Sequence, residues 1–559
     1  MKRKFTSILG FIFLILLALF AGWYFGKKSS TEALIHRSVT PLDKLKATLH
    51  LIEENYVDTV DTDKLVLDLI PLLMHQLDPH SSYLTAEQRL EERKNMEGFF
   101  YGIGVSFNMI KDTAVIVSVT PNGPSDLVGL KAGDRIVSVD KMPITGKSFM
   151  ADSVRSLLVG EKGSIVHLGI RDYNTSSERE VKVKRGTVNM PQIDASFMVN
   201  DTLGYIRIPS FAMNTHNEFM QAVARLESKG MKGLILDLRD NPGGLLQPAL
   251  LISNEILPAQ SLIIYQEGEH YKRTDMMSDG TGHLTHLPIY VLINEMTASS
   301  SEIVTGSLQD NDAAIVIGRR SFGKGLVQKS FDYYDGSSVH LTIARYHTAS
   351  GRSLQRDYKL GDDEAYNRDW IDRFSRGEMF HADSIKIDPN QLYWTKAGRP
   401  VYGGGGITPD IFVPRDTAGI SSYYVEVLNK GIIHQFAFEY ADRYRDILKK
   451  LGSAKKCYKF LENQGMVWQL SEYANKKGVR PKNYLIYLSQ EQLNNVIYPL
   501  VIDYIYGADS AWMVRGFTDP MVTKAAKLFG EGITKPQLIP QEKRLLPDSI
   551  LQNITDSIH

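Results

Sequence analysis

The sequence predicts an α/β multidomain protein in which mostly helical regions flank a β-rich module and an α/β core. From Gln192 onward, strand-like runs such as "GLILDLR" and "LPIYVLINE" alternate with helical patterns such as "SSSEIVTGSLQD". Such alternation is typical of an α/β core. Between Gly98 and about Val188, short strand-like runs are separated by Gly, Pro and Asp, which indicates a small β-rich module. Stretches near the C-terminus, such as "FAFEYADRYRDILKKL", have the hydrophobic spacing of a helix.

Length, charge and cysteine content exclude several classes of protein. The chain has 559 residues, enough for three or four domains. It carries 64 Lys and Arg against 64 Asp and Glu, so a nucleic-acid binder that works by bulk positive charge is excluded. Cys457 is the only cysteine, which excludes a disulfide framework and cysteine zinc sites.

The N-terminus predicts a membrane anchor or signal segment over residues 1–28. The stretch from Phe5 to Gly26 carries no charge and follows Lys2, Arg3 and Lys4. A stretch of this length can span a bilayer, and its basic start places the N-terminus in the cytoplasm and the rest outside. An uncleaved anchor is favoured over a cleaved signal peptide, because no clear cleavage site follows.

Changes in composition and hydrophobic pattern along the chain predict the domain boundaries. Leu42, Leu45, Leu49 and Ile52 recur at helical spacing and open a helical N-terminal region. A polar, charged stretch with scattered aromatics interrupts the core as an insertion. The predicted regions are the N-terminal helices (40–95), the β-rich module (96–188), the core (190–415), its insertion (about 358–402) and a helical C-terminal domain (416–559).

The stretch "GRRSFGKG", Gly318 to Gly325, matches the first seven positions of a phosphate-binding loop. Such a loop needs Ser or Thr after its Lys and a helix behind it. Here Gly325 follows Lys324, and "LVQKSFDYY" is strand-like. Nucleotide binding is therefore not expected.

Other standard sites are missing from the sequence. There is no G-x-S-x-G elbow and no H-E-x-x-H zinc motif. His340 and His347 stand near predicted strand ends and are interpreted as structural or surface groups. No metal or other cofactor is expected.

The run "TASSSEI" places Ser299, Ser300 and Ser301 between a buried strand and a helix. Helix capping is the plain interpretation. A nucleophile is the alternative, and it needs a base. A lysine serves as one if burial depresses its pKa, and Lys324 has apolar neighbours in the sequence, with Gln328 on the same face.

The stretch "DLRDNPGG", Asp237 to Gly244, ends a buried strand in a glycine turn. Glycines let backbone N–H groups approach a ligand closely. The turn is either an ordinary tight turn or half of an oxyanion hole.

Together these pieces resemble the carboxy-terminal processing peptidases, or tail-specific proteases. The resemblance runs from about Leu42 to Val413, and the similar stretches occur in the same order as in that family. It rests on the stretches "LDPHSSYL", "GIGV", "PNGPSDLVGLKAGDRIVSVD", "LILDLRDNPGG", "TASSSEIVTGSLQD", "GRRSFGKGLVQ", "ARYHTASGRSLQ" and "GGITPDI".

The resemblance implies a serine protease with a Ser–Lys pair. Ser299 falls on the family's nucleophile, Lys324 on its base 25 residues later, and Gln328 on the assisting glutamine. Asp310 matches a supporting acidic position. Two positions depart from the family's serine-alanine pattern, where Thr297 and Ser300 stand.

The resemblance also implies an oxyanion hole and a PDZ domain. The oxyanion would face the N–H of Ser300 and that of Gly243 or Gly244. The β-rich module would bind C-terminal tails by β-addition. The expected peptide-binding residues are Gly102, Ile103, Gly104 and Val105. A PDZ fold that only packs against or gates the active site is the alternative.

The function expected from these features is a serine endopeptidase that cleaves exported proteins near apolar C-terminal tails. It would be anchored in the bacterial inner membrane with its catalytic domains in the periplasm, or be periplasmic if the segment is cleaved. A catalytically inactive PDZ scaffold or chaperone is the competing class. An adaptor protein or a homo-oligomer is a further expected partner, whereas nucleic acid and nucleotides are not.

Overall fold

The computed structural model describes residues 13–22, 40–110, 113–145, 149–173, 175 and 177–536. The chain divides into two compact units. One contains the residues up to Tyr83 together with Lys359–Asp363, and the other contains the remainder.

The first unit is helical. It contains α1 (residues 13–22), α2 (Pro41–Asn55) and α3 (Thr62–His75). Thr40 starts α2 because its hydroxyl accepts the Asp43 N–H and its own N–H donates to the Asp43 carboxylate, which is a capping box. Asp61 caps α3 by accepting the Lys64 N–H with its carboxylate.

The predicted anchor lies largely outside the described residues. Only residues 13–22 of the 1–28 segment are described, and they are helical. Among the described helices, none is both long enough and apolar enough to cross a membrane.

The predicted β-rich module is an antiparallel sheet closed by two short helices. Five strands pair in the order β3–β4–β5–β7–β8, β6 pairs with β5, and β2 pairs with β9. Alternating apolar residues such as Ile116, Ile136 and Leu168 are fully buried between the sheet and the helices. The elements after the short strand β1 (Ser82–Leu84) are α4 (Ala86–Glu97), β2 (Phe99–Gly102), β3 (Val105–Ile110), β4 (Thr113–Val119), α5 (Pro124–Leu127), β5 (Arg135–Val139), β6 (Met142–Pro143), α6 (Ala151–Leu158), β7 (Ile165–Arg171), β8 (Glu178–Lys184) and β9 (Gly186–Asn189).

The α/β core is built on a mostly parallel sheet in the order β10–β11–β12–β15–β16–β21, where β21 is Ile411–Phe412, and only the β10–β11 pair is antiparallel. Strands β11, β12, β15 and β16 are buried along their whole length, as expected for a parallel sheet covered on both faces. A second sheet pairs β14, β13, β18 and β17. The core elements are β10 (Ala195–Met198), β11 (Leu203–Arg207), α7 (Thr215–Glu227), β12 (Gly233–Asp237), α8 (Leu246–Ile256), β13 (Leu262–Gly268), β14 (Tyr271–Met277), β15 (Ile289–Ile293), α9 (Ser300–Asp310), β16 (Ala314–Gly318), β17 (Leu326–Asp332) and β18 (Ser338–Thr348).

The region of the predicted insertion contains a helix and a hairpin. These are α10 (Asp363–Ser375), β19 (Leu392–Trp394) and β20 (Pro400–Tyr402), and the chain then returns to the core sheet as β21 (Ile411–Phe412).

The C-terminal region is helical, as expected, and packs against two other parts of the chain. Val115 of the β-rich module lies in its main apolar cluster, and Arg135 of that module pairs with Asp442 at 2.5 Å. Met521 and Val522 cover one face of the core sheet. The helices are α11 (Ser422–Asn429), α12 (Ile432–Arg443), α13 (Arg445–Lys450), α14 (Ala454–Glu462), α15 (Met466–Lys476), α16 (Asn483–Leu488), α17 (Gln490–Tyr506), α18 (Ala508–Gly516) and α19 (Pro520–Gly530).

Candidate active site

Ser299 stands between β15 and α9 in a constrained backbone conformation. Its φ is 55° and its ψ is −119°, a combination that costs a non-glycine residue about 1–3 kcal/mol. Its side chain is half-buried, and it directly precedes α9, whose next N–H groups, from Ser301 to Ile303, donate to the carbonyls of Ala298 and Ser299. Strain of this kind concentrates at functional sites, so the conformation marks Ser299 as a candidate nucleophile.

The neighbouring hydroxyls are occupied. Ser300 Oγ donates to the carbonyl of Gly244 at 2.8 Å, and Ser301 Oγ donates to the carbonyl of Asn241 at 3.2 Å. Both side chains are buried. The two hydroxyls therefore tie the helix start to the glycine turn, and Ser299 is the most accessible of the three serines.

The turn at the end of β12 lies directly against Ser299. A Cβ atom placed on Gly243 would lie 2.7 Å from Ser299 Cβ, and one placed on Gly244 would lie 2.1 Å from the carbonyl oxygen of Phe211. Both glycines also have positive φ, at 101° and 134°. Only glycine fits at either position without displacing the backbone.

The glycine N–H groups differ in availability. The N–H of Gly243 donates to Asn241 Oδ1 at 2.8 Å. Within the described residues, the N–H groups of Gly244 and Ser300 donate no hydrogen bond. Of the two glycines considered for an oxyanion hole beside Ser299, this pattern favours Gly244.

Lys324 lies in the connection between β16 and β17, so "GRRSFGKG" links two strands rather than a strand and a helix. Its Nζ donates to Gln328 Oε1 at 3.0 Å, and its side chain is half-buried. The contact orients the amine. It also matches the predicted relation between Lys324 and Gln328.

Glu302, which the sequence reasoning missed as a site residue, joins the serine and lysine segments. Its Oε2 accepts the N–H of Ser299 at 2.9 Å and the N–H of Lys324 at 2.8 Å. Its Oε1 accepts the Ser321 hydroxyl at 2.5 Å and the Gly323 N–H at 2.7 Å. Its sequence signal was a glutamate within a buried helical turn, three residues after the candidate nucleophile.

The Glu302 carboxyl is completely buried. Burial raises its pKa, and the hydrogen bonds from Ser321, Lys324, Gly323 and Ser299 act against that rise. Because four donors converge on it, the group acts as a backbone brace for the site.

Asp310 at the end of α9 has a supporting position. It forms an ion pair with Arg352 at 2.7 Å, and neither side chain is exposed. It also accepts hydrogen bonds from the Thr348 hydroxyl and the Ser350 N–H. Asp310 thus holds the segment "TASGR" after β18 against the helix that follows Ser299.

Two residues of the insertion hold the lysine segment, and the sequence reasoning missed them as well. Arg373 donates to the carbonyls of Ser321 and Arg320 at 2.9 and 2.8 Å. Glu378 accepts two hydrogen bonds from Arg320, each of 2.7 Å, and one from Arg373 at 2.8 Å. Their signal in sequence was weak, since both lie in a charged, aromatic-containing stretch.

The predicted peptide-binding residues surround the start of β3. Gly102 ends β2 and Val105 begins β3. Within the described residues, the N–H groups of Ile103 and Gly104 donate no hydrogen bond. Strand β3 pairs on one side with β4 and lies at the edge of its sheet, so its other side can accept an added strand.

His340 and His347 make local contacts. His340 Nε2 lies 3.3 Å from Glu92, and His347 stacks on Tyr265 with ring centroids 4.8 Å apart. In the part of the chain that the structure describes, no group of three or more His, Cys, Asp or Glu side chains could hold a metal ion.

Comparison with known proteins assigns the family. The model of peptidase family S41 matches residues 202–363, and that of the PDZ domain matches residues 102–184. The carboxy-terminal-processing protease of Bartonella bacilliformis is 34% identical over 313 residues, which cover 54% of this chain and 70% of that relative. The chain belongs to the carboxy-terminal processing proteases of peptidase family S41. The family is one of serine-type peptidases, and the β-rich module is its PDZ domain.

Two further proteins are similar to this family member. The carboxy-terminal processing protease CtpA of Bacillus subtilis is 33% identical over 315 residues, which cover 56% of this chain and 66% of that relative. The chain thus spans about two thirds of the length of these bacterial relatives. The solved structure of a photosystem II D1 C-terminal processing protease is 27% identical, with a TM-score of 0.33, over 58% of this chain and 85% of that chain.

The C-terminal helices lie outside the protease match. A model described as a family of unknown function matches residues 423–507.

Proposed function

We propose that the chain is a serine endopeptidase that cuts polypeptides near their C-terminal tails, with Ser299 as nucleophile and Lys324 as general base. One observation carries the proposal. A single buried carboxylate oxygen of Glu302 holds the backbone N–H groups of both residues, so two segments far apart in sequence are braced together. The contact of Lys324 with Gln328 and the engaged hydroxyls of Ser300 and Ser301 add support.

The proposed chemistry begins with a neutral Lys324 amine. Ser299 Oγ attacks the carbonyl carbon of the peptide bond while Lys324 Nζ takes the hydroxyl proton. The carbonyl oxygen becomes an oxyanion, which the N–H groups of Ser300 and Gly244 stabilise. The N–H of Gly243 is not assigned to the oxyanion, because it donates to Asn241 Oδ1. The role of Gly243 is to allow the tight turn.

The second half of the reaction regenerates the enzyme. The Lys324 ammonium donates its proton to the leaving amine, and the C–N bond breaks to give an ester on Ser299. Water then attacks that ester, with Lys324 accepting a water proton and returning it to Ser299 Oγ. Lys324 Nζ donates to Gln328 Oε1, and in the proposed mechanism this contact orients the amine for its role as base.

The PDZ domain would supply tail capture. The N–H groups of Ile103 and Gly104 are suited to a terminal carboxylate, with Gly102 and Val105 on either side, and the open edge of β3 is suited to an added peptide strand. A groove between β3 and α6 would select apolar C-terminal residues, in keeping with the apolar core residues Val154 and Leu158 that α6 contributes beneath it.

The proposed location is the bacterial cell envelope. It rests on the basic residues and the uncharged stretch at the start of the sequence. Substrates would then be exported proteins.

The deciding experiment compares the full chain with Ser299→Ala, Ser300→Ala and Lys324→Ala on a loosely folded reporter that ends in an apolar tail. Mass spectrometry reads the products. We expect shortened products from the wild type and from Ser300→Ala, and none from the other two variants. An amidated tail should be cleaved more slowly, because it lacks the terminal carboxylate.

The same experiment separates the competing proposals. A scaffold would bind the reporter and release no shortened product from any variant. Cleavage that survives Lys324→Ala at neutral pH would contradict the Ser–Lys mechanism. Cleavage lost in Ser300→Ala and retained in Ser299→Ala would move the nucleophile to Ser300.

A further inference from the structure

A cleft of about 760 Å³ opens among helices α14, α16 and α17 of the C-terminal region. Four tyrosines line it, Tyr458 from α14, Tyr484 and Tyr487 from α16, and Tyr498 from α17. The cleft contains none of the residues proposed for catalysis or tail capture. Nearly all of its lining lies within the segment matched by the family of unknown function.

The tyrosines present both buried and open ring surface. Tyr498 is 5% exposed and packs edge-on against Tyr458, with ring centroids 5.4 Å apart. Tyr484 and Tyr487 are 76% and 71% exposed. Aromatic rings left this open on a stable helix pair are typical of a binding surface.

The charge of the cleft is negative. Glu462 and Glu491 line it, and no Lys, Arg or His side chain is among its lining residues. Within the described residues, neither glutamate forms an ion pair or a side-chain hydrogen bond. Burial raises the pKa of Tyr498 to about 12, with the Tyr458 ring and the Glu462 carboxylate adding to the effect, so Glu462 acts directly on this ring pair.

The cleft also contains an unused hydrogen-bond acceptor. Asn494 Oδ1 is buried and accepts no hydrogen bond from any described residue. Buried acceptors in native proteins nearly always have a donor. A ligand with N–H groups would supply one after a small rotation of the Asn494 side chain turns this oxygen toward the cleft.

We propose that this tyrosine cleft binds a polypeptide segment that presents lysine or arginine side chains. Tyrosine faces attract cations, and the attraction grows when the cation is desolvated. The two free carboxylates complement the same charge, and the Asn494 acceptor fits an ammonium or guanidinium N–H. A quaternary ammonium group would use the rings but leave Asn494 without a donor. The volume exceeds that of one side chain, which favours a segment of several residues.

The test measures binding of a probe peptide to the full chain by calorimetry. The probe is an acetylated and amidated peptide of three Gly-Arg repeats, so it has no terminal carboxylate for the PDZ domain. The reference peptide has citrulline, the neutral analogue, in place of each arginine. Two variants change exposed side chains of the cleft. One is Tyr487→Ala, and the other combines Glu462→Gln with Glu491→Gln. Tyr334→Ala is the matched control, because Tyr334 is a fully exposed tyrosine of the β17–β18 hairpin.

We expect saturable binding of the arginine peptide that weakens at least fivefold in either set of cleft variants and is unchanged in Tyr334→Ala. Raising the salt from about 50 to about 500 mM should weaken it further. Equal binding of the citrulline peptide, no saturable binding, or unchanged affinity in the cleft variants would each overturn the proposal. If the chain bound phosphocholine but not the arginine peptide, the polypeptide proposal would be overturned and the ligand of the cleft would be a quaternary ammonium compound. Mass spectrometry of the recovered peptide checks that it stayed intact.

Discussion

The backbone N–H of Lys324 donates to the buried carboxylate of Glu302 at 2.8 Å, although 22 residues separate them in the chain. The same oxygen accepts the N–H of Ser299. The distance between the proposed nucleophile and base therefore depends on a residue that touches neither reacting atom.

Replacing Glu302 by Gln should lower kcat/KM at least tenfold. The amide keeps one acceptor oxygen but turns its NH₂ group toward donors, so two of the four hydrogen bonds become donor-to-donor contacts. The measurement is cleavage of the tail-bearing reporter at saturating and limiting substrate, and kcat should fall more than KM rises. Glu426→Gln, on an exposed helix surface, is the control and should behave like the wild type. Unchanged kcat in Glu302→Gln would remove Glu302 from the site.

The free energy of unfolding at acid pH should depend on the ionisation of the Asp237 carboxyl. Burial disfavours the ionised form and raises the pKa of Asp237. The positive charges of Arg239 and Arg207, together with hydrogen bonds from Arg239 and Tyr205, outweigh burial, so the pKa is lowered. A lowered folded pKa means that the stabilisation is fully present above the unfolded value near 3.8 and is lost as pH falls through the lower folded value. Asp237→Asn should reduce the free energy of unfolding at pH 7 by about 3–5 kcal/mol.

The check on Asp237 is chemical unfolding at several pH values. Between about pH 2 and pH 5 the free energy of unfolding should rise with pH more steeply in the wild type than in Asp237→Asn. Asp152→Asn, at an exposed ion pair, should keep the wild-type slope. Parallel pH profiles for the wild type and Asp237→Asn would show that the carboxyl is not held ionised.

Arg373 should matter for catalysis although it belongs to the insertion. Removing its guanidinium frees the carbonyls of Arg320 and Ser321, which precede Lys324. Arg373→Met should lower kcat about tenfold and reduce stability by about 3 kcal/mol, because Glu378 loses a buried partner. Arg376→Met is the control, since Arg376 is 41% exposed and lies 3.8 Å from the same glutamate. Similar losses in both variants would argue against local bracing of the lysine segment.

The ion pair of Arg135 with Asp442 should help to hold the PDZ domain on the C-terminal helices. Both side chains are partly exposed, so we expect a coupling free energy of about 1 kcal/mol or less. A double-mutant cycle with Arg135→Met and Asp442→Asn measures it. Amide exchange of β5 in each single variant should become faster. A coupling of zero with unchanged exchange would assign the docking to the other contacts, which include those of Val115 and the hydrogen bond from Asn108 to Tyr504.

Much of the core could be predicted from the sequence. The strands β12, β15 and β16 are continuous apolar runs bounded by polar turns, and α9 follows "TASS" as the pattern indicates. Stretches such as "LILDLRDNPGG" and "TASSSEIVTGSLQD", in their order along the chain, carried the resemblance to the family. These features are local in the chain, so a single sequence reveals them.

The bracing of the site could not be predicted in the same way. Glu302 would be taken for an ordinary helix residue, and Arg373 and Glu378 lie in a stretch with no motif. The preference for Gly244 over Gly243 follows from one hydrogen bond to Asn241. Each of these depends on which atoms meet after folding.

Alternating strand and helix patterns in the sequence predicted the α/β core, and the ordered motifs carried the resemblance that implied the family, the PDZ domain and the candidate nucleophile and base, because patterns and motifs are properties of neighbouring residues. The way Glu302 joins Ser299 to Lys324, the partners of the Ser300 and Ser301 hydroxyls and the packing of the C-terminal helices are visible only after folding. Those relations arise from burial and hydrogen bonding between segments far apart in the chain, where a buried donor or acceptor must find its partner.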